Sequence, residues 1–225
     1  MKRKGIASLC AAGGLLAAFA VWTALLRVVD VEAIGPRGSS VGFATLNAAF
    51  HCATGVHMNL YTITDWLGLV PVAVGLGFAV LGLAQWIKRR SILRVDRSIL
   101  ALGGFYIAVI AAYVFFETVV INYRPVLIEG YLEASYPSST TMLVMCVMPT
   151  AAMQLHARIK GAAFRRCVMT AIGAFIAAMV LGRLISGVHW VTDIVGGVLL
   201  SAGLIAAYHG ACCLWLAPKA KETNS

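Results

Sequence analysis

Charge is what this sequence has least of. Asp, Glu, Lys and Arg together make up 12% of the 225 residues, and only nine of them are acidic. A soluble domain carries about 25% charged residues, so a water-exposed globular fold is excluded. No polar stretch is long enough to form a soluble domain beside the apolar ones, and no internal repeat or low-complexity segment is present. The six cysteines form neither a disulfide framework nor a metal-ligand spacing. Cys10, Cys146, Cys167, Cys212 and Cys213 fall inside apolar runs and Cys52 in an outer loop, which predicts free, buried thiols.

What is present is hydrophobic: 60% of the residues, with a mean hydropathy of +0.87. About 20 apolar residues cross the roughly 30 Å hydrocarbon layer of a bilayer, and stretches of that length recur along the whole chain. The expected fold is an all-α integral membrane protein, a single domain over residues 1–225. Its six transmembrane helices are expected at about 5–28, 64–87, 98–121, 138–157, 167–187 and 191–216. The opening MKRK also suits a signal peptide, but the apolar stretch runs to Leu26 with no small-residue cleavage site, so a retained helix is expected.

Fourteen of the eighteen Lys and Arg residues flank these spans on one side. They are Lys2, Arg3 and Lys4, then Lys88, Arg89, Arg90, Arg94 and Arg97, then Arg158, Lys160, Arg165 and Arg166, then Lys219 and Lys221. The positive-inside rule makes that side cytoplasmic and both termini internal. The net charge of +9 is therefore a topology signal, and no nucleic-acid partner is expected. Arg27, Arg37, Arg124 and Arg183 remain on the outer face.

That outer face also holds most of the polar variety. Residues 29–63 are too polar to span, and Val41 to Val56 suit a short interfacial helix between the first two spans. His51 and His57, in this segment, read as surface or interfacial histidines. Asp65 and Trp66 read as a helix N-terminal carboxylate and an interfacial anchor at the start of span two. His156 and His209 fall towards the cytoplasmic ends of their spans and read as buried, hydrogen-bonded histidines. Small residues in AAGGLLAAFA, AIGAFIAAM and GGVLLSAG predict close helix approach.

Chemistry concentrates in GRLISGVHWVTDIVGG, residues 182–197. His189 and Asp193 are one helical turn apart if a helix begins here, which predicts a carboxylate hydrogen-bonded to one imidazole nitrogen, with the other free as nucleophile or base. In VINYRPVLIEG, Arg124 and Pro125 are expected to close span three on the same face. Arg124, Arg183 and the helix N-terminal amides at Ser138 and Ser139 would form an oxyanion cage suited to phosphate.

These three pieces resemble the type-2 phosphatidic-acid phosphatases, which share a superfamily with vanadium-dependent haloperoxidases. The family's motifs are Lys, six residues, Arg-Pro; then Pro-Ser-Gly-His; then Ser-Arg, five residues, His, three residues, Asp. Here the third reads Gly182, Arg183, LISGV, His189, WVT, Asp193. The resemblance implies a membrane lipid substrate, an outward-facing site in a bacterial cytoplasmic membrane, and no cofactor or metal. It implies that His189 attacks phosphorus to give a phosphohistidine and that Asp193 orients it. Arg124, Arg183, Ser138 and the amide of Ser139 would hold the phosphoryl oxygens. Undecaprenyl pyrophosphate and phosphatidate-type lipids are the implied substrates; binding without turnover and lipid phosphotransfer are the competing readings.

Two catalytic positions depart from the pattern. The motif lysine is Glu117, and the motif histidine, a general acid, is Thr140. A threonine hydroxyl does not titrate near neutral pH and cannot take over that role by ordinary acid catalysis. Glu117, seven residues from Arg124, is expected to pair with an arginine or to supply the proton itself.

Overall fold

The computed structural model describes residues 2–215. Eight helices account for most of them: α1 (Lys2–Leu25), α2 (Ala44–Thr54), α3 (Met58–Leu67), α4 (Leu69–Arg89), α5 (Arg97–Thr118), α6 (Ser139–Arg158), α7 (Ala162–Ile185) and α8 (Val191–Trp215). No strand is formed among the described residues, only isolated antiparallel bridges. Lys219 and Lys221, which were expected on the inner side, and the last residue of the sixth expected span lie outside the described region.

Five helical segments are long and apolar enough to cross a membrane: α1, the nearly continuous α3–α4 run of 32 residues, α5, α7 and α8. Their outward faces carry large apolar side chains, among them Ile107 at 70% exposure and Val80 at 63%, which only a lipid solvent accommodates in such number. The protein is an integral membrane protein. The sixth expected span, α6, is long enough at 20 residues but is not among the apolar five. Its surroundings explain this: it packs against α4, α5, α7 and α8, and Val144, Cys146, Val147, Thr150, Ala151 and Gln154 are all buried. A helix sheathed by other helices can carry polar residues if each finds a partner. Thr150 bonds back to the carbonyl of Cys146 at 2.8 Å, and Gln154 donates to the Tyr208 hydroxyl at 2.9 Å.

The main core gathers Phe19, Leu102, Phe105, Tyr136, Met142 and Leu200 from α1, α5, α6, α8 and the segment before α6. The close approach expected from small residues holds for span six: a Cβ on Gly203 would sit 2.8 Å from Leu16 of α1. It does not hold for Gly13, Gly14 or Gly173, which face open space. The thiols are free, but only Cys146 is buried; Cys10, Cys52 and Cys167 are exposed on outward faces. His156 and His209 are exposed as well, not buried as expected, with His209 Nδ1 3.2 Å from Ser8 Oγ.

Two boundaries differ from expectation in ways that shape the site. The helix of span two begins at Met58, so Asp65 lies within α3 and not at a helix start. The helix of span three ends at Thr118, six residues before Arg124, because residues 119–138 leave the helix to form a separate excursion. A short helix, α2, forms within the segment expected to lie in the interface. Asn47 on α2 donates to Thr192 Oγ1 at 3.0 Å, tying that helix to the start of α8.

Candidate active site

The turn between α7 and α8 is built first by local chemistry. Ser186 Oγ donates to the carbonyl of Arg183 at 2.8 Å, closing the end of α7. Gly187 follows at φ +69°, where a Cβ would lie 2.0 Å from the carbonyl oxygen of Gly55. Only glycine permits that approach. The neighbouring His57 amide donates to the Ser186 carbonyl at 2.9 Å, so the α2–α3 junction clamps the turn from outside. His189, in this turn, is 3% exposed, and Asp193, in the first turn of α8, is fully buried.

The excursion between α5 and α6 folds back on itself as a hairpin. Its tip is Ile128–Tyr131, where Glu129 and Gly130 both have positive φ, as a two-residue hairpin turn requires. Lower down, the Arg124 amide donates to the Glu133 carbonyl at 3.1 Å and the Ser135 amide to the Asn122 carbonyl at 2.9 Å. The period of two along each arm puts Asn122, Arg124, Glu133 and Ser135 on one face. That face meets the α7–α8 turn, and Trp190 Nε1 fastens the two by donating to the Tyr123 carbonyl at 2.8 Å.

His189 and Asp193 do come together, but not by the direct hydrogen bond expected from their spacing. Asp193 Oδ2 accepts from Ser135 Oγ at 2.5 Å and from the Trp190 amide at 3.0 Å, and Oδ1 accepts from Asn122 Nδ2 at 3.1 Å. His189 Nδ1 lies 3.0 Å from Ser135 Oγ, and His189 Nε2 lies 3.3 Å from Arg124 Nη1. The local helical spacing brings the two residues close, and the hairpin then inserts a hydroxyl between them. Burial first, then the positive charges of Arg124 and Arg183, hold the His189 pKa well below its ordinary value. The imidazole is neutral at neutral pH.

The two arginines converge as anticipated. Arg124 and Arg183 both lie over the ring of Tyr61 from α3, at 5.7 and 4.8 Å from its centroid. Arg183 is 1% exposed, yet its polar contacts are long: Nη1 is 3.5 Å from both Thr64 Oγ1 and Asp65 Oδ1, and Nε has no partner among the described residues. Arg124 Nε is 3.1 Å from Glu133 Oε2, too misaligned for a hydrogen bond. Two buried guanidiniums with donors to spare, beside a neutral imidazole, suit a multiply charged oxyanion.

The second-motif residues fare differently. The Ser138 amide, expected to be free for an anion, donates instead to the Asp193 carbonyl at 3.1 Å. Its hydroxyl is buried without a partner among the described residues. Ser139 opens α6 and lines a small cavity with Glu117, Ser135 and Pro137. Thr140 lies beside the α3–α4 junction, its methyl 3.5 Å from where a Cβ on Gly68 would be. Glu117 forms no salt bridge among the described residues: Arg124 has left the helix that was to align them and stands by Glu133. The sequence reading missed Ser135, Asn122, Glu133, Tyr61 and Asp65 as site residues. The alternating pairs Asn122 and Arg124, then Glu133 and Ser135, around Glu129-Gly130 were the available signal.

With this geometry in view, the third motif finds its family. Residues 116–212 match the model of the PAP2 superfamily. This segment belongs to that superfamily. The matched part runs from the end of α5 through α8 and so contains the hairpin, α6 and the α7–α8 turn. No curated protein matches the sequence significantly. Among solved structures, the chain is similar to the first transmembrane PAP2-type phosphatidylglycerolphosphate phosphatase from Bacillus subtilis. The TM-score is 0.55 at 19% identity, covering 93% of this chain and 98% of that one. At this identity the likeness establishes a shared membrane fold.

Proposed function

We propose that this protein is a membrane lipid phosphatase that hydrolyses an outer-leaflet lipid phosphate or diphosphate through a phosphohistidine. One observation carries the reading: the neutral His189 presents Nε2 towards Arg124 in a buried site where Arg183 has unspent donors. Nε2 attacks phosphorus, the bond from phosphorus to the leaving oxygen breaks, and the guanidiniums hold the charge spread over the phosphoryl oxygens. Water then attacks the phosphohistidine, releases phosphate and returns the lone pair to Nε2. Ser138 Oγ adds a donor near the start of α6.

The substrate follows from what is absent at Thr140. A positioned general acid is worth about 10² to 10⁴ in rate. A diphosphate leaves as phosphate, which needs less protonation than an alkoxide, so a polyprenyl diphosphate of the undecaprenyl type suits this site better than a phosphatidate. The chain acts as one domain of six spans, with both termini internal and the site facing outward from a bacterial cytoplasmic membrane. The charge asymmetry supports this orientation. The exposure of Glu117 and the place of Thr140 favour one second reading, a relative that binds lipid phosphate without turnover.

Purified protein in detergent, given lipid phosphates and diphosphates, separates these readings. Phosphate release faster from diphosphates, and reduced at least about 10³-fold in His189→Ala, is the expected result. Lipid binding without release from any substrate would overturn the phosphatase reading.

A further inference from the structure

We propose that Ser135 is the positioning residue of this site, a hydroxyl relay through which Asp193 sets the tautomer and aim of His189. The inference rests on His189 being the nucleophile, and it goes further by naming the group that makes it one.

The donors and acceptors around His189 fix where its proton lies. Arg124 carries only donors, so at 3.3 Å from its Nη1 the His189 Nε2 must be the acceptor, an unprotonated nitrogen. The proton of the neutral imidazole is then on Nδ1. Nδ1–H donates to Ser135 Oγ at 3.0 Å, and the hydroxyl has a single hydrogen of its own, which it spends on Asp193 Oδ2 at 2.5 Å. Each link fixes the next, and the sequence Asp193, Ser135, His189, Arg124 has one consistent assignment. The other tautomer would set Nε2–H against an Arg124 N–H and leave Nδ1 to compete with Asp193 for one hydroxyl hydrogen.

The surroundings hold the relay in place. Ser135 is 2% exposed. The hairpin rung from its amide to the Asn122 carbonyl at 2.9 Å fixes it beside Asn122, which binds the other oxygen of the same carboxylate. Asp193 Oδ2 already takes the Trp190 amide as well, and no hydrogen bond joins it to the imidazole among the described residues. When Nε2 bonds to phosphorus, Nδ1 keeps its proton and the ring becomes cationic. The hydroxyl and the carboxylate behind it stabilise that charge.

Nitrogen-15 NMR of histidine-labelled protein in detergent, without substrate, reads the relay directly. His189 is assigned among the five histidines by loss of its signals in His189→Gln. The wild type is expected to show the Nδ1–H tautomer. Ser135→Ala is expected to mix the tautomers and to lower kcat about 10- to 100-fold with little change in KM, and Ser135→Thr, which keeps the hydroxyl, to recover both. An Nε2–H tautomer in the wild type would overturn the proposal without any variant having to fold. So would a Ser135→Ala protein with unchanged tautomer and kcat. If no lipid phosphate is turned over yet the wild-type tautomer is Nδ1–H and shifts in Ser135→Ala, the relay stands and the phosphatase reading falls. Turnover with an indifferent Ser135 gives the reverse.

Discussion

The α7–α8 turn and the hairpin between α5 and α6 contribute to the same site, and they are built on opposite principles. The turn brings Arg183, His189 and Asp193 together within eleven residues, by helix period and a glycine at positive φ. The hairpin delivers Asn122, Arg124 and Ser135 by strand alternation, and each meets its target only because a loop 54 to 71 residues away in sequence packs against it. The turn supplies the proposed nucleophile. The hairpin governs how that nucleophile is aimed and what lies in front of it.

Substitutions on the two sides test that division. The largest effect after loss of His189 itself is expected from Arg183→Ala on the turn side. Removing a buried donor to the developing oxyanion lowers kcat/KM about 10²- to 10³-fold, measured by phosphate release; a loss confined to KM would place Arg183 in ground-state binding alone. Asn122→Ala, on the hairpin side, leaves Asp193 Oδ1 without its partner. It is expected to cost about 1–3 kcal/mol of stability, read as a lower unfolding temperature in detergent. Turnover should fall about tenfold. An unchanged melting profile would detach the hairpin from Asp193.

The pH profile sharpens the comparison further. Because the His189 pKa lies below its ordinary value, the imidazole stays neutral as pH falls through 6.5. The acidic limb of kcat/KM is expected below that value, and Arg183→Ala, by removing one cause of the depression, should move it upwards. A wild-type limb at or above pH 6.5 would contradict the buried, arginine-flanked imidazole. Smallest of all, Glu117→Gln is expected to change turnover by no more than about twofold, because its carboxylate is exposed and forms no salt bridge among the described residues. A tenfold loss would return Glu117 to the chemistry.

The pattern of what was legible follows the same division. The membrane class, most helices and the cluster around His189 could be read along the chain, because hydropathy and helical period act over a few residues. Ser135 could not, since nothing local distinguishes it from Ser138 and Ser139, and only the hairpin register turns it towards Asp193. The low apolarity of α6 was equally opaque, being a consequence of the neighbours that sheath it. Asp65 was read as a helix start because its helix was expected to begin six residues later than it does.

By itself, then, the sequence determined an all-α membrane protein with arginine, histidine and aspartate gathered at one face. It could do so because burial in lipid demands long apolar helices, and because residues four apart on a helix must be neighbours. The tertiary structure decided the contacts around them: that a serine stands between the histidine and the aspartate, and that two arginines share one tyrosine ring. Those contacts join segments distant in sequence, and hydrogen-bond direction depends on atoms that only the folded chain places within 3.5 Å of one another.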